Sequence, residues 1–415
     1  MQKQIWTISK LLAWAIDYFK TKEIPESRLS AELLLSAVLN LSRMDLYLKY
    51  DLELEESQLK KYKEFILRRL GHEPIQYITG EAYFRKIKLE VDKSVLIPRP
   101  ETELVVESAK KAILHLAGVR SSSMKSTEAG ANNNDSGVAL TDKSQKPQKK
   151  SKKIQNKDDS ALGSENANSM AQTSDTSPES PGKGQNESEA VKASLGMSKK
   201  AQSKKAGAIS NSDAANIEKT VLNPNQVINV LEIGIGSGAI ALSLLFETDF
   251  NADQTFPINV IATDISGDAL KTAFKNAGNI LSPQKYDHLK LFECDVVPKD
   301  NEEFLNKYLK KMDIIISNPP YIAEANYKNL EKQIKNFEPE QALNAGKTGT
   351  EQYSRILEKV KPFLNPAASC IIFETDPLTS PELQKIIKSE FKDCRITIEK
   401  DYNGMDRILT AFIGN

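Results

Sequence analysis

The chain has little that points to crosslinks, metals or membranes. Three cysteines, Cys294, Cys370 and Cys394, are spread over 415 residues with no CxxC pair. Neither a disulfide framework nor a zinc site is indicated, and three reduced, buried thiols are expected. No apolar run approaches the ~18 residues of a bilayer span. The N-terminal stretch MQKQIWTISKLLAWAIDYFKTKEI is interrupted by Asp17 and Lys20 and has no small-residue cleavage site. It reads as an amphipathic helix with Trp6, Leu11, Leu12, Trp14, Ile16 and Phe19 facing a small core, not as a signal peptide. A cytoplasmic location is the expectation. An excess of one charge is missing too, because 56 Lys+Arg balance 56 Asp+Glu. A protein whose main task is gripping bare nucleic acid usually carries a basic surplus.

Aromatic residues are absent from one long stretch. From Ser121 to Thr220 there is no Phe, Trp or Tyr, and Ser, Asn, Lys, Gly and Ala dominate. Such a segment cannot bury enough apolar area to offset the entropy of ordering it, so disorder is expected over 121–220. Its basic run KPQKKSKK at 146–153 reads as part of a solvated linker rather than an RNA contact.

The remaining residues form three parts. Residues 1–75 read as a helical bundle. Ser27 or Ser30 is a candidate cap for AELLLSAVLNL, and ESQLKKYKEFILRRLG stops at Gly71 with Arg68 and Arg69 in its last turn. Residues 76–100 read as a β-hairpin linker, with strand-like clusters around Tyr77, Ile78, Tyr83, Phe84, Ile87, Leu89 and Val91 and a turn at Gly80. Pro98 and Pro100 then hold off a helix until about Thr102. Residues 101–415, apart from the insertion, alternate strands and helices. VINVLEIG, INVIATDI, LKLFECDV, MDIIISNPPYI and CIIFET are the strands. That order is most simply an α/β, doubly wound, parallel sheet.

Two motifs carry chemistry. Gly234-Ile235-Gly236-Ser237-Gly238 closes one strand and opens a helix, a place where glycine lets the backbone turn sharply and approach a ligand. Its GxGxG spacing fits a dinucleotide fingerprint imperfectly, and a plain tight turn is the alternative. Asp264 ends the next strand, where an acidic side chain accepts from ribose hydroxyls. The alternative is a helix cap before Ser266. Asp295 ends the third strand and is a candidate for an adenine amino group. The second motif, Asn318-Pro319-Pro320-Tyr321, follows a strand end, where α/β sheets place ligands. The prolines remove two N–H donors, leaving the Asn318 side-chain oxygen and the Pro319 carbonyl as acceptors. Two acceptors suit a planar NH2 group, and Tyr321 offers a flat stacking face. His72, His115 and His288 lie outside both motifs and read as surface or packing residues.

LEIGIGSGAIALSL, ATDISGDALKTAFKNA, IISNPPYI, FEPEQAL (337–343) and DYNGMDRI (401–408) resemble the peptide chain release factor N5-glutamine methyltransferases, the PrmC/HemK family. RRLGHEPIQYITGEAYF and VLIPRPETELV do so too, and the resemblance covers nearly all but 121–220. It implies a class I methyltransferase fold: a seven-stranded, mostly parallel Rossmann-like sheet with one antiparallel strand, a small helical N-terminal domain and a hairpin linker. It implies S-adenosyl-L-methionine as cofactor, held by Gly234 to Gly238 and Asp264, with Asp295, Val296 and Asn318 also against it. It implies as substrate the glutamine of the Gly-Gly-Gln motif of class 1 release factors, held by Asn318 to Tyr321, with Asn318, Pro319 and Tyr321 catalytic and residues 1–75 contacting the release factor. No direct nucleic-acid contact, no membrane, no metal and a monomer are expected. Two positions depart from the family pattern. Val296 stands where an aromatic often follows the aspartate. Glu374-Thr375-Asp376-Pro377-Leu378-Thr379 replaces a Glu-x-Gly-x-x-Gln run. The rival readings are an adenine-N6 methyltransferase of DNA or RNA, whose amine needs the same acceptors, and a non-catalytic cofactor-binding scaffold.

Overall fold

The structure is a computed structural model that describes residues 5–131, 227–249, 258–299 and 301–414, residues 118–131 in backbone only. The expected disorder over 121–220 and the basic run at 146–153 lie, from residue 132 on, outside the described residues. Residues 121–131 are a correction to that expectation, because they continue the helix Glu103–Ala131. A helix whose first turns are packed is extended more cheaply than a new one is nucleated, and 121–131 contain no proline to stop it.

Helices α1 (Ile8–Thr21), α2 (Ser27–Leu39), α3 (Arg43–Leu48) and α4 (Glu56–Leu70) pack Ile8, Leu11, Leu12, Phe19, Leu34, Leu35, Tyr62 and Ile66 into one small core. Phe19 and its neighbours are inside as expected, whereas Trp14 lies on the outer face, 45% exposed and stacked on Tyr18. Neither Ser27 nor Ser30 caps α2. Its N-cap is Glu26 in left-handed backbone, and both serine hydroxyls donate to carbonyls of the preceding turn. α4 ends at Leu70 with Arg68 and Arg69 in its last turn.

The hairpin is shorter than its sequence suggests. Tyr77 and Ile78 belong to helix α5 (Ile75–Thr79), which ends at the left-handed Gly80. Strands β1 (Glu81–Phe84) and β2 (Ile87–Glu90) turn at Arg85-Lys86 instead. Within that helix Tyr77 is buried, and its hydroxyl donates to the Val95 carbonyl at 2.6 Å. Ala82, Phe84, Ile87 and Leu89 enter the same core as the large sheet, so the hairpin is part of the catalytic-domain packing rather than a free linker. A short 3-10 turn, Pro100–Thr102, then leads into α6 (Glu103–Ala131).

The large sheet holds β3 (Ile228–Ile233), β4 (Ile258–Asp264), β5 (Leu289–Glu293), β6 (Ile314–Ser317), β9 (Ser369–Glu374), β10 (Arg395–Lys400) and β11 (Asp406–Ile413), while the short β7 (Ile322–Ala323) and β8 (Asn344–Gly346) pair apart from it. Its order is β10-β11-β9-β6-β3-β4-β5. β11 runs antiparallel to both neighbours, and the other pairs are parallel. The fully parallel sheet read from alternation alone is corrected at this strand. The outcome is the seven-stranded, mostly parallel sheet with one antiparallel strand that the resemblance implies. Side chains alternate between its faces: Val230, Ile314, Ile316 and Ile372 pack with α6 and the helix Gly267–Ile280, while Leu231, Ile315, Ile371 and Phe373 pack with the helix Glu351–Val360. Of the three free thiols only Cys370 is buried; Cys294 and Cys394 are half-buried, which corrects the expectation of three interior cysteines. Among the described residues no helix is long and apolar enough to cross a membrane.

Candidate active site

The strand order reverses between β3 and β6, and the carboxyl ends of those strands open onto one cavity of about 310 Å3. Ligands bind at such switch points because the two neighbouring connections leave in opposite directions and part the loops. Along successive strand ends it is lined by Asn318, Pro319 and Pro320, by the glycine wall Gly234, Ile235, Gly236 and Ser237, then by Asp264, and by Asp295 and Val296. Pro98, Arg99, Thr102, Gln341 and Ala342 line it as well. Most residues singled out from sequence therefore meet. Gly238 and Tyr321 do not line the cavity.

The glycine wall is set by backbone. Gly234 and Gly236 have φ of +75° and +55°, and a side chain at either would point into open space. That leaves two peptide units accessible to a ligand and strained for any other residue. Gly238 serves packing instead, since a Cβ there would meet Leu242 at 2.8 Å. The loop is hung from the next strand: Gly234 and Ile235 donate to the Thr263 carbonyl, and Gly236 donates to Asp264 Oδ2 at 2.9 Å. Asn276 fastens it from below, donating to the Ser237 carbonyl and exchanging hydrogen bonds with the Glu90 backbone.

Asp264 is not the cap of the following helix. Ser266 caps it, and Asp264 accepts from the N–H groups of Gly236 and Ser266, one per oxygen. Each oxygen keeps a further lone pair for a hydroxyl. Burial raises its pKa, and the backbone donors work against that rise. Asp295 is fixed differently. Arg355 and Lys359 both bind its Oδ2, while Oδ1 accepts nothing among the described residues. Burial opposes its charge, but the hydrogen bonds and charges of Lys359 and Arg355 prevail and hold its carboxyl below the usual range. Val296 sits in left-handed backbone at φ 70°, buried, with its carbonyl taking the Thr263 hydroxyl at 2.9 Å.

Two carboxylates to which the sequence reading gives no role, Glu232 before the glycines and Glu374 at the head of the departing run, lie near these residues. Glu232, at the end of β3, lines the cavity and is 1% exposed. Burial raises its pKa strongly; the Ala241 N–H opposes that, and its Oε2 has no partner. Glu374, at the end of β9, is equally buried, and its pKa is pushed up to about 7 by desolvation. It takes the Tyr321 hydroxyl at 3.4 Å, and the Thr102 hydroxyl lies against it and favours its charge. Tyr321 thus turns away from the cavity toward the Phe373 side of the sheet.

Asn318 faces inward with a defined polarity. Its Nδ2 donates to Thr102 Oγ1 at 3.2 Å. Its Oδ1 and the Pro319 carbonyl accept nothing among the described residues. The PRPETE loop that carries Thr102 is itself clamped: Arg99 pairs with Glu338 of FEPEQAL at 2.5 Å, and the Ile97 N–H donates to the same carboxylate. No histidine lines the cavity; His115 packs edge-on against Phe412, and His288 bonds Asn259.

The cavity can thus accept a planar NH2 group at Asn318-Pro319 and a ribose-bearing ligand along the glycine wall. Residues 10–80 match the family description "PrmC N-terminal domain". The chain is 27% identical over 410 residues to the release factor glutamine methyltransferase of Chlorobaculum tepidum, covering 99% of this chain and 98% of that protein. It is 25% identical over 411 residues to the same-named protein of Geobacter sulfurreducens, again covering 99% and 98%. Among solved structures, a release-factor-specific protein-(glutamine-N5) methyltransferase from Alicyclobacillus acidocaldarius is 18% identical with a TM-score of 0.25, covering 45% of this chain and 81% of that one. The chain is thus similar along nearly its whole length to proteins named release factor glutamine methyltransferase, and its residues 10–80 match the N-terminal domain of that family.

Proposed function

We propose that the enzyme methylates the side-chain amide nitrogen of the glutamine in the Gly-Gly-Gln motif of class 1 release factors, using S-adenosyl-L-methionine. The observation that carries this reading is the pair of unengaged acceptors, Asn318 Oδ1 and the Pro319 carbonyl, at one wall of a cavity whose other wall is the glycine loop. The residues fit the cofactor. The unpartnered Glu232 Oε2 suits a methionine amino group, and the bare glycines Gly234 and Gly236 let a ligand approach the loop closely. Asp264 retains lone pairs for ribose hydroxyls, and Asp295 Oδ1 is open to an adenine amine.

The cofactor supplies a methyl group already activated on a sulfonium. The protein's task is on the other partner. An amide nitrogen is a poor nucleophile because its lone pair is shared with its carbonyl. Asn318 and Pro319 accept its two N–H groups, which fixes the nitrogen's direction and favours electron density on it. After transfer the nitrogen is cationic and acidic, so its proton passes to water without a dedicated base. Residues 1–75 are the surface for the release factor outside the glutamine. Mass spectrometry of a release factor incubated with the enzyme and cofactor tests this: one added methyl on the Gly-Gly-Gln peptide is expected. Methyl transfer to adenine in DNA or RNA, with none to the release factor, would overturn it.

A further inference from the structure

We propose that Thr102 and Glu374 form a positioning unit that dictates which end of the Asn318 carboxamide faces the substrate; the unit acts within the amide-methylation reading above. A carboxamide is nearly symmetric in shape but opposite in chemistry at its two ends. Only one orientation presents an acceptor to an incoming NH2 group. The choice is made behind Asn318. β6 and β9 are paired in parallel with Ser317 opposite Phe373, so the next residues, Asn318 and Glu374, leave adjacent strand ends. Thr102 is 5% exposed and placed beside both. A hydroxyl has one proton to give. An ionised Glu374 only accepts, so it draws that proton and leaves Thr102 Oγ1 as a pure acceptor. Asn318 must then offer its Nδ2–H at 3.2 Å, which turns Oδ1 into the cavity. The same carboxylate holds the Tyr321 hydroxyl, so both ends of Asn318-Pro319-Pro320-Tyr321 are referred to one group.

A neutral Glu374 reverses the chain. Its own O–H donates to Thr102, whose proton is freed to seek Asn318 Oδ1. The carboxamide then presents NH2 to NH2. Ionisable neighbours on every packed element bear on this balance: Glu101 on the 3-10 turn, Arg407 on β11 with its partner Asp401, Tyr353 on the helix behind, and Asp376 in the turn that follows. Burial places the transition near pH 7, so the acceptor orientation is favoured above it.

The test compares wild type, Thr102→Val, Thr102→Ser and Glu374→Gln on a release factor, at saturating cofactor and on both sides of pH 7. Thr102→Val keeps the shape, and it is expected to lower kcat by roughly 100-fold with KM and S-adenosylhomocysteine affinity little changed. Thr102→Ser restores most of the rate. Wild-type kcat rises with pH through about 7, while Glu374→Gln is slow and flat. Wild-type kcat in Thr102→Val, a loss that serine does not recover, or the wild-type pH limb persisting in Glu374→Gln would each overturn the proposal. If wild type binds S-adenosylhomocysteine but methylates no release factor, the functional reading fails instead. NMR of the Asn318 side-chain amide then decides the positioning: its protons shift near pH 7 in wild type and not in Glu374→Gln if the unit operates, and behave alike in both if it does not.

Discussion

The carboxyl ends of β3 and β9 carry the same residue in the same burial, yet the two glutamates do different things. Glu232 and Glu374 are each 1% exposed, each has a raised pKa and each leaves Oε2 unpartnered. Glu232 faces the cavity and takes a backbone N–H from the helix Ala239–Glu247. Glu374 is screened from the cavity and faces side chains, Thr102 and Tyr321. One buried carboxylate belongs to a wall made of backbone, the other to a wall made of side chains. A backbone wall suits a ligand read by its general shape and charge. A side-chain wall suits a reacting group whose every proton must be oriented.

The largest expected effect lies on the side-chain wall. If Asn318 polarises the substrate amide as proposed, Asn318→Ala should lower turnover on the release factor about 100-fold or more, with the melting temperature and S-adenosylhomocysteine binding retained. A folded, cofactor-binding Asn318→Ala enzyme with normal turnover would sink the account of this wall. Next comes a direct split of the two glutamates. Glu232→Gln replaces a carboxyl that, on the proposed reading, accepts from the ligand's amino group, and it should weaken S-adenosylhomocysteine by about tenfold in calorimetry. Glu374→Gln should leave that affinity unchanged. Equal losses in both variants would erase the distinction between the walls.

Much of this was legible along the chain because the strands and their terminal loops are continuous segments. Gly234 to Ser237, Asp264, Asp295 and Asn318 to Pro320 were found from strand ends alone, and they do converge. Glu232 and Glu374 are visible in the sequence as strand-end residues, but their burial and neighbours are not, because those depend on how the strands are ordered. Only the parallel register of β6 with β9 brings Glu374 beside Asn318. The helical state of Tyr77 is not legible either, because a five-residue helix, Ile75–Thr79, is too short to show an apolar period. The place of Tyr321 was misjudged for the opposite reason. Its aromatic face was legible, but the hydroxyl's attraction to Glu374 turns it out of the cavity.

A smaller effect concerns pH and stability, and it separates Glu374 from carboxylates at the surface. Its pKa is about 7 in the folded protein against an ordinary 4.5, so the folded state holds a proton that the unfolded state has released between those values. Stability from this group is therefore greatest below about pH 4.5 and declines as pH rises to about 7. The shift corresponds to a cost of about 3 kcal/mol for keeping the charged form buried. Glu374→Gln should flatten the fall in urea-unfolding free energy between pH 5 and pH 8 by an amount of that order. An unchanged slope would mean that Glu374 is not the group that charges.

The smallest effect reverses that sign at the hairpin. Arg85, held in left-handed backbone at φ 51°, forks onto Glu247 at 2.6 and 2.8 Å, also meets Glu107, and Lys110 joins Glu247 at 3.0 Å. These contacts pin the β1–β2 turn to α6 and to the helix that opens after the glycine wall. The Arg85 hydrogen bonds lower the Glu247 pKa to about 2, against an ordinary 4.5. A depressed carboxylate contributes stability above its unfolded pKa and loses it as pH falls through the folded one. Here that loss runs from about pH 4.5 down to about 2. Lys110 and Glu107 are partly solvated, so the contribution is on the order of 1 kcal/mol. Glu247→Gln should lower stability by that amount at neutral pH and converge with wild type as the solution is acidified. The cavity-facing chemistry should be untouched, because the cluster holds the hairpin from outside. If S-adenosylhomocysteine binding weakened in this variant as much as in Glu232→Gln, the glycine wall would depend on the hairpin clamp as well as on its own backbone.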